Sequence, residues 1–247
     1  MSGLIEETEN NVTYLSIVNG KVTQRFKEHQ TLNGKTVTKD RDIKDDDGNV
    51  VKTVIERQYF GIGGILEGIK AKDGNYGMTL ELRIRTAQNL YNFSMKLDSS
   101  YGRSFMFRLN NIDPTKEIVL NPYNFEDSVK KNSKGEPARV IGISVLQKDR
   151  GFEKDKVPSF YTKEEPKGLP EWEQTTVAGQ TKWNSDKQLD FLYKTTLEWA
   201  DMNLDGLSVS DINLPQEKES KSTSAAVEML KDAGMDEDPN KPDDFPF

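Results

Sequence analysis

The chain has no cysteine, which excludes disulfides and thiolate-held zinc or iron–sulfur centres. Its one histidine, His29, sits in a polar stretch. No phosphate loop Gly-x-x-x-x-Gly-Lys and no Gly-x-Ser-x-Gly elbow occurs, so two common signatures of nucleotide hydrolysis and acyl transfer are missing. Carboxylate pairs for acid–base or magnesium-dependent work stay open, because 41 Asp and Glu residues make chance pairings plentiful. No catalytic residue, metal or cofactor is expected. Long apolar runs are missing too, with nothing near the roughly 20 residues of a membrane span. Residues 1–7 lack the basic start and apolar run of a signal peptide. The expectation is a soluble, cytoplasmic protein without a membrane partner.

What remains is polar but able to fold. Of 247 residues 34% are hydrophobic and 30% charged, yet 11 Phe, 8 Tyr and 3 Trp can supply a core. The net charge of −7 is unevenly spread. Residues 216–247 hold nine acids against four lysines, giving −5, while residues 50–110 hold nine Lys/Arg against five acids, giving +4. A basic middle and an acidic end suit a DNA-binding body with a competing tail, and they suit ordinary surface charge equally well.

Residues 12–58 read as β-hairpins, with Asn19-Gly20 fitting a two-residue type I′ turn and Asn33-Gly34 and the run 45–49 marking two more. The aspartate run fails as a calcium loop, since Ile43 and Val54 stand where the first and last carboxylates belong. Residues 61–72 form a glycine-rich strand candidate, with bulges expected. Residues 79–86 alternate cleanly: Leu80, Leu82 and Ile84 face one way, Glu81, Arg83 and Arg85 the other. Residues 91–97 and 101–109 read as two further strands, and 124–131 as the one place for a helical turn. Asp113-Pro114 and Asn121-Pro122 punctuate a link, and 139–146, the most apolar run, is expected at a sheet centre. Residues 148–184 form a Pro/Gly-punctuated excursion that either covers a groove or packs a following helix. That helix starts at Ser185 or Asp186, with Leu189, Leu192, Tyr193, Thr196, Leu197 and Ala200 on one stripe and Phe191 and Trp199 off it. Residues 206–223 lead out as a polar linker, and 224–233 could make a short transient helix closed by Gly234.

The sequence ends Asp243-Asp244-Phe245-Pro246-Phe247, after an acidic run punctuated by Pro239 and Pro242. So acidic a segment buries too little apolar area to fold alone, and its two phenylalanines suit a partner's pocket. This ending resembles the acidic tip of bacterial and phage single-stranded DNA-binding proteins. The resemblance implies an OB-fold body that holds DNA and a tip that recruits replication, recombination and repair enzymes, in a bacterial cell or a phage-infected host.

On that basis the expected fold is mainly β: an elaborated OB-fold-like barrel with N-terminal β-hairpins, one C-terminal helix and a disordered acidic tail. The pattern alone fits a β-sandwich nearly as well. Residues 1–205 would be the DNA-binding domain, with an extension over 1–59, a barrel core over 60–147, and loop plus helix over 148–205. Residues 206–247 would be linker and docking tail. The expected phosphate contacts are Lys70, Lys72, Arg83, Arg85, Lys96, Arg103 and Arg108, with Tyr76, Tyr91 and Tyr101 stacking on bases. Asp243, Asp244, Phe245, Pro246 and Phe247 would bind partner proteins. A virion or scaffold protein built on β-structure is the alternative.

Overall fold

The computed structural model describes residues 12–204 except 46, 75, 76, 133, 134, 178 and 179. The expectations for residues 1–11, for Tyr76, and for the linker and tail over 206–247 concern residues outside those described. The fold is mainly β. Its strands are β1 (Val12–Val18), β2 (Lys21–Phe26), β3 (Thr31–Leu32), β4 (Lys35–Thr36), β5 (Lys39–Lys44), β6 (Val50–Tyr59), β7 (Ile62–Gly74), β8 (Gly77–Arg85) and β9 (Leu90–Lys96). Helix α1 (Ser100–Leu109) follows, then β10 (Ile118–Lys131), β11 (Pro137–Leu146), β12 (Glu173–Val177), β13 (Gln180–Asn184) and helix α2 (Asp186–Asn203). No helix among the described residues is long and apolar enough to cross a membrane.

Among the described residues nine strands form one sheet in the order β11-β10-β7-β8-β9-β1-β2-β6-β5. All neighbours are antiparallel except β1 and β9. The alternation read from 79–86 is the alternation seen: Leu80, Leu82 and Ile84 are fully buried. They meet Phe93 and Met95 of β9, Ile118 and Leu120 of β10, and Ile143 and Val145 of β11 in one core. Each such buried side chain contributes roughly 1.5–3 kcal/mol.

Strand β7 bends the sheet. Its residues 62–64 pair with β10, and from Ile65 onward it pairs with β8. A Cβ on Gly64 would stand 2.4 Å from the Arg85 carbonyl oxygen, so glycine is what lets β7 cross between its two partners. Glu67 is an inserted bulge residue, with Leu66 opposite Ile84 and Gly68 opposite Arg83. No ladder among the described residues joins the two end strands, so the sheet is not a closed barrel. It does curl back on itself. The Asn19-Gly20 turn has positive φ at both residues, as a type I′ hairpin demands, and a Cβ on Gly20 would lie 2.5 Å from the Asn124 amide nitrogen of β10.

Three local expectations are corrected. Residues 100–109 form helix α1 and not a strand; the Ser99 hydroxyl caps it by accepting from the Gly102 amide at 3.2 Å. Residues 124–131 form no helical turn: they continue β10, which runs straight through Pro122. Pro122 pairs with Ile143, and the β10–β7 ladder has ended at Leu120, so no described strand partner needs the missing amide. Strand β11 is an end strand, not a central one. Its apolar character comes from burial beneath α1, whose Ser104 hydroxyl accepts from the Ile143 amide at 3.2 Å and donates to the Ile143 carbonyl at 3.1 Å.

The 148–184 excursion packs against the helices. The Phe160 amide donates to the Phe107 carbonyl of α1, and the buried Tyr161 ring stands edge-on to Phe107, Phe160 and Phe191. Trp172 Nε1 donates to Gln188 of α2 at 3.0 Å. Helix α2 spans the expected residues, and Trp199, off the expected stripe, is buried with Leu192 and Tyr193.

Candidate nucleic-acid interface

Period-two alternation gives β7, β8 and β9 an outer face opposite the core. Register pairs Gly68 with Arg83 and Arg83 with Asn92; the next row is Lys70, Glu81 and Ser94, and the next Lys72, Thr79 and Lys96. Gly68, Lys70, Lys72, Glu81, Arg83 and Asn92 line a trough with a cavity volume of about 130 Å³. The trough exists because Gly68, opposite Arg83, carries no side chain to fill it.

Two carboxylates temper the positive charge. Glu81 Oε2 is 2.6 Å from Lys72 Nζ. Glu67, displaced outward by the bulge, accepts from Arg85 Nε and lies 4.0 Å from Arg83 Nε. That hydrogen bond holds the Arg85 guanidinium above the ordinary arginine pKa. Lys70 and Lys96 make no ion pair among the described residues. Arg83 Nε is buried without a hydrogen-bond acceptor among them, so the donors left to meet an incoming anion are the terminal guanidinium nitrogens. Five cations against two carboxylates leave the surface net positive.

Of the seven cations expected to touch phosphates, five share this surface: Lys70, Lys72, Arg83, Arg85 and Lys96. Arg103 and Arg108 do not. They lie on α1, and burial pulls both guanidinium pKa values below the ordinary arginine value. Arg103 donates to Ser185 Oγ at 2.7 Å and lies over the Trp172 ring, tying α1 to the start of α2. Arg108 donates to the Ser104 carbonyl at 2.6 Å and to Ser104 Oγ at 2.9 Å.

The tyrosines divide similarly. Tyr91 pairs with Ile84, so it faces the core side and packs half-buried against it. Tyr101 is half-buried on α1 against the same core. The ring that does accompany the trough is Tyr14, 65% exposed. Strand β1 lies parallel to β9 with Tyr14 beside Asn92 and Leu15 beside the buried Phe93, which sets Tyr14 on the outer side. Sequence reasoning passed over Tyr14 because nothing local reveals that β1 inserts beside β9. The usable signal was its alternation with Leu15 within a hairpin strand.

Comparison of the chain with family models, with curated proteins and with solved structures finds no match.

Proposed function

We propose that the chain is a single-stranded DNA-binding protein whose body is an opened, elaborated OB-like barrel. The observation that carries the reading is the trough across β7, β8 and β9, with Lys70, Lys72 and Arg83 around Asn92. Strands β10-β7-β8-β9 follow the Greek-key order, three consecutive antiparallel strands and a fourth returning beside the first, with α1 in the long connection. OB-folds are five-stranded, partly open Greek-key barrels that bind oligonucleotides on the face of their second and third strands. Here those are β8 and β9, and Arg83 and Asn92 belong to them.

In this reading the cations of the trough neutralise phosphates and the exposed ring of Tyr14 stacks on a base. Released counterions supply much of the affinity, so binding weakens as salt rises. The Asp243–Phe247 tip is proposed to recruit replication, recombination or repair proteins, with its phenylalanines in an apolar pocket and its carboxylates against a basic rim. Fluorescence anisotropy of a labelled oligothymidylate, titrated at two salt concentrations, tests the DNA reading. Salt-sensitive binding supports it. Absent or salt-insensitive binding removes it and favours a scaffold protein.

A further inference from the structure

The outer face of the trough does not stop at Tyr14. Ser94 of β9 pairs with Ser16 of β1, Ser16 with Thr23 of β2, and Thr23 with Gln58 of β6; Thr23 itself is buried, so the open surface here is made by the side chains around it. Side chains two residues apart on a strand share a face, so Tyr14 on β1, Lys21 and Arg25 on β2, and Phe60 just beyond β6 continue the face that holds Lys70, Arg83 and Lys96. The opposite side of the same strands is the core side, with Leu15 and Val22 buried and Tyr59 packed against them.

Phe60 is 82% exposed, and Lys21 Nζ sits 4.0 Å from its ring centroid. The ring is held in the open beneath an ammonium group. A lone exposed apolar residue is ordinary. Here two exposed rings, Tyr14 and Phe60, lie on one face with cations between and beside them. Lys21 and Arg25 make no ion pair among the described residues. The carboxylate nearest them in the register, Glu56, is fully buried and bonded to Arg41 Nε at 2.7 Å, so its charge is already met. From β7 to β6 the face crosses five strand spacings, about 24 Å at roughly 4.8 Å each.

We infer that single-stranded DNA crosses this face along a track from the trough, over Tyr14, to a second stacking position at Phe60 with Lys21 as its phosphate contact, held by the exposed side chains on either side of the buried Thr23. The inference rests on the reading of the trough as a single-strand site. It makes the N-terminal hairpins half of the binding surface and not an appendage. A base arriving on Phe60 would take the place of the Lys21 ammonium over the ring, and Lys21 would swing to the adjoining phosphate.

Anisotropy titrations with oligothymidylates of about 5 and about 15 nucleotides, bracketing the site sizes typical of an OB-fold, test the track. Phe60→Ala is expected to weaken binding of the longer oligomer about tenfold and of the shorter one by much less, whereas Tyr14→Ala, at the trough itself, should weaken both. Both side chains are exposed, so unchanged melting temperature and far-UV circular dichroism should accompany the loss. Phe60→Trp supplies a second readout, with its added emission quenched by the longer oligomer. If the wild-type chain binds the longer oligomer while Phe60→Ala binds it as tightly and the Phe60→Trp emission is unmoved, the track is overturned and the trough reading stands. If the wild-type chain binds neither oligomer, both fall together.

Discussion

Lys72 and Glu81 face each other on the wall of the trough, with Nζ 2.6 Å from Oε2. Glu81 is the carboxylate among the residues lining the trough, and it cancels a cation that would otherwise meet a phosphate. Glu81→Gln should therefore tighten oligothymidylate binding by about threefold at low salt, the scale of a half-exposed ion pair. It should also steepen the salt dependence, because one more counterion is displaced. Unchanged affinity with an unchanged salt slope would remove Glu81 and Lys72 from the binding surface.

Arg103 and Lys70 are both cations of the basic middle, yet they should fail in opposite ways. Arg103 is withdrawn against Ser185 and the Trp172 ring, so Arg103→Ala should lower stability by about 1–3 kcal/mol, the cost of leaving buried polar groups unpaired. Its effect on DNA affinity, measured below the melting transition, should be small. Lys70→Ala should leave the urea midpoint in place and weaken DNA binding. Equal losses of affinity from the two substitutions would contradict this division.

Acid should reach the fold through Asp113. Its carboxylate accepts from the Thr115 amide at 3.0 Å and the Thr115 hydroxyl at 2.6 Å, and Arg150 lies 2.9 Å away, so its pKa is held below the ordinary aspartate value. A carboxyl depressed in the folded state stabilises the fold above its unfolded pKa, and that contribution is lost as pH falls through the lower folded value. Asp113→Asn should thus lower the urea midpoint at about pH 7 and differ much less from wild type at about pH 3 or below. A deficit that stays constant across that range would assign the loss to packing and not to charge.

The hairpins, the β8 alternation and helix α2 were legible because each is encoded locally. Asn19-Gly20 dictates its own turn, Leu80, Leu82 and Ile84 need only period two, and α2 carries its stripe from Leu189 to Ala200. Helix α1 was not legible. Phe105, Met106, Phe107 and Leu109 are all buried, since α1 is wedged among β11, the Phe160–Tyr161 segment and α2. A helix buried on several sides shows no stripe, and its aromatic residues read as a strand. Ser99 was the overlooked cue. Half of the candidate site was equally hidden: Lys70, Arg83 and Lys96 are visible as alternating cations, but Tyr14 and Phe60 join them only through the pairing of β1 with β9 and of β2 with β6. Pairing between distant strands is a tertiary choice with no local signature.

The most direct test of the trough is the slope of log affinity against log salt for a single-stranded oligomer, measured for the wild-type chain, for Lys70→Ala, for Arg83→Ala, and for Lys35→Ala on the separate two-stranded β3–β4 sheet. If Lys70 and Arg83 each neutralise a phosphate, each loss should make the slope shallower by about 0.7, the counterion contribution of one contact to a single strand, and Lys35→Ala should leave it unchanged. Identical slopes for all four proteins would mean that DNA does not lie in the trough.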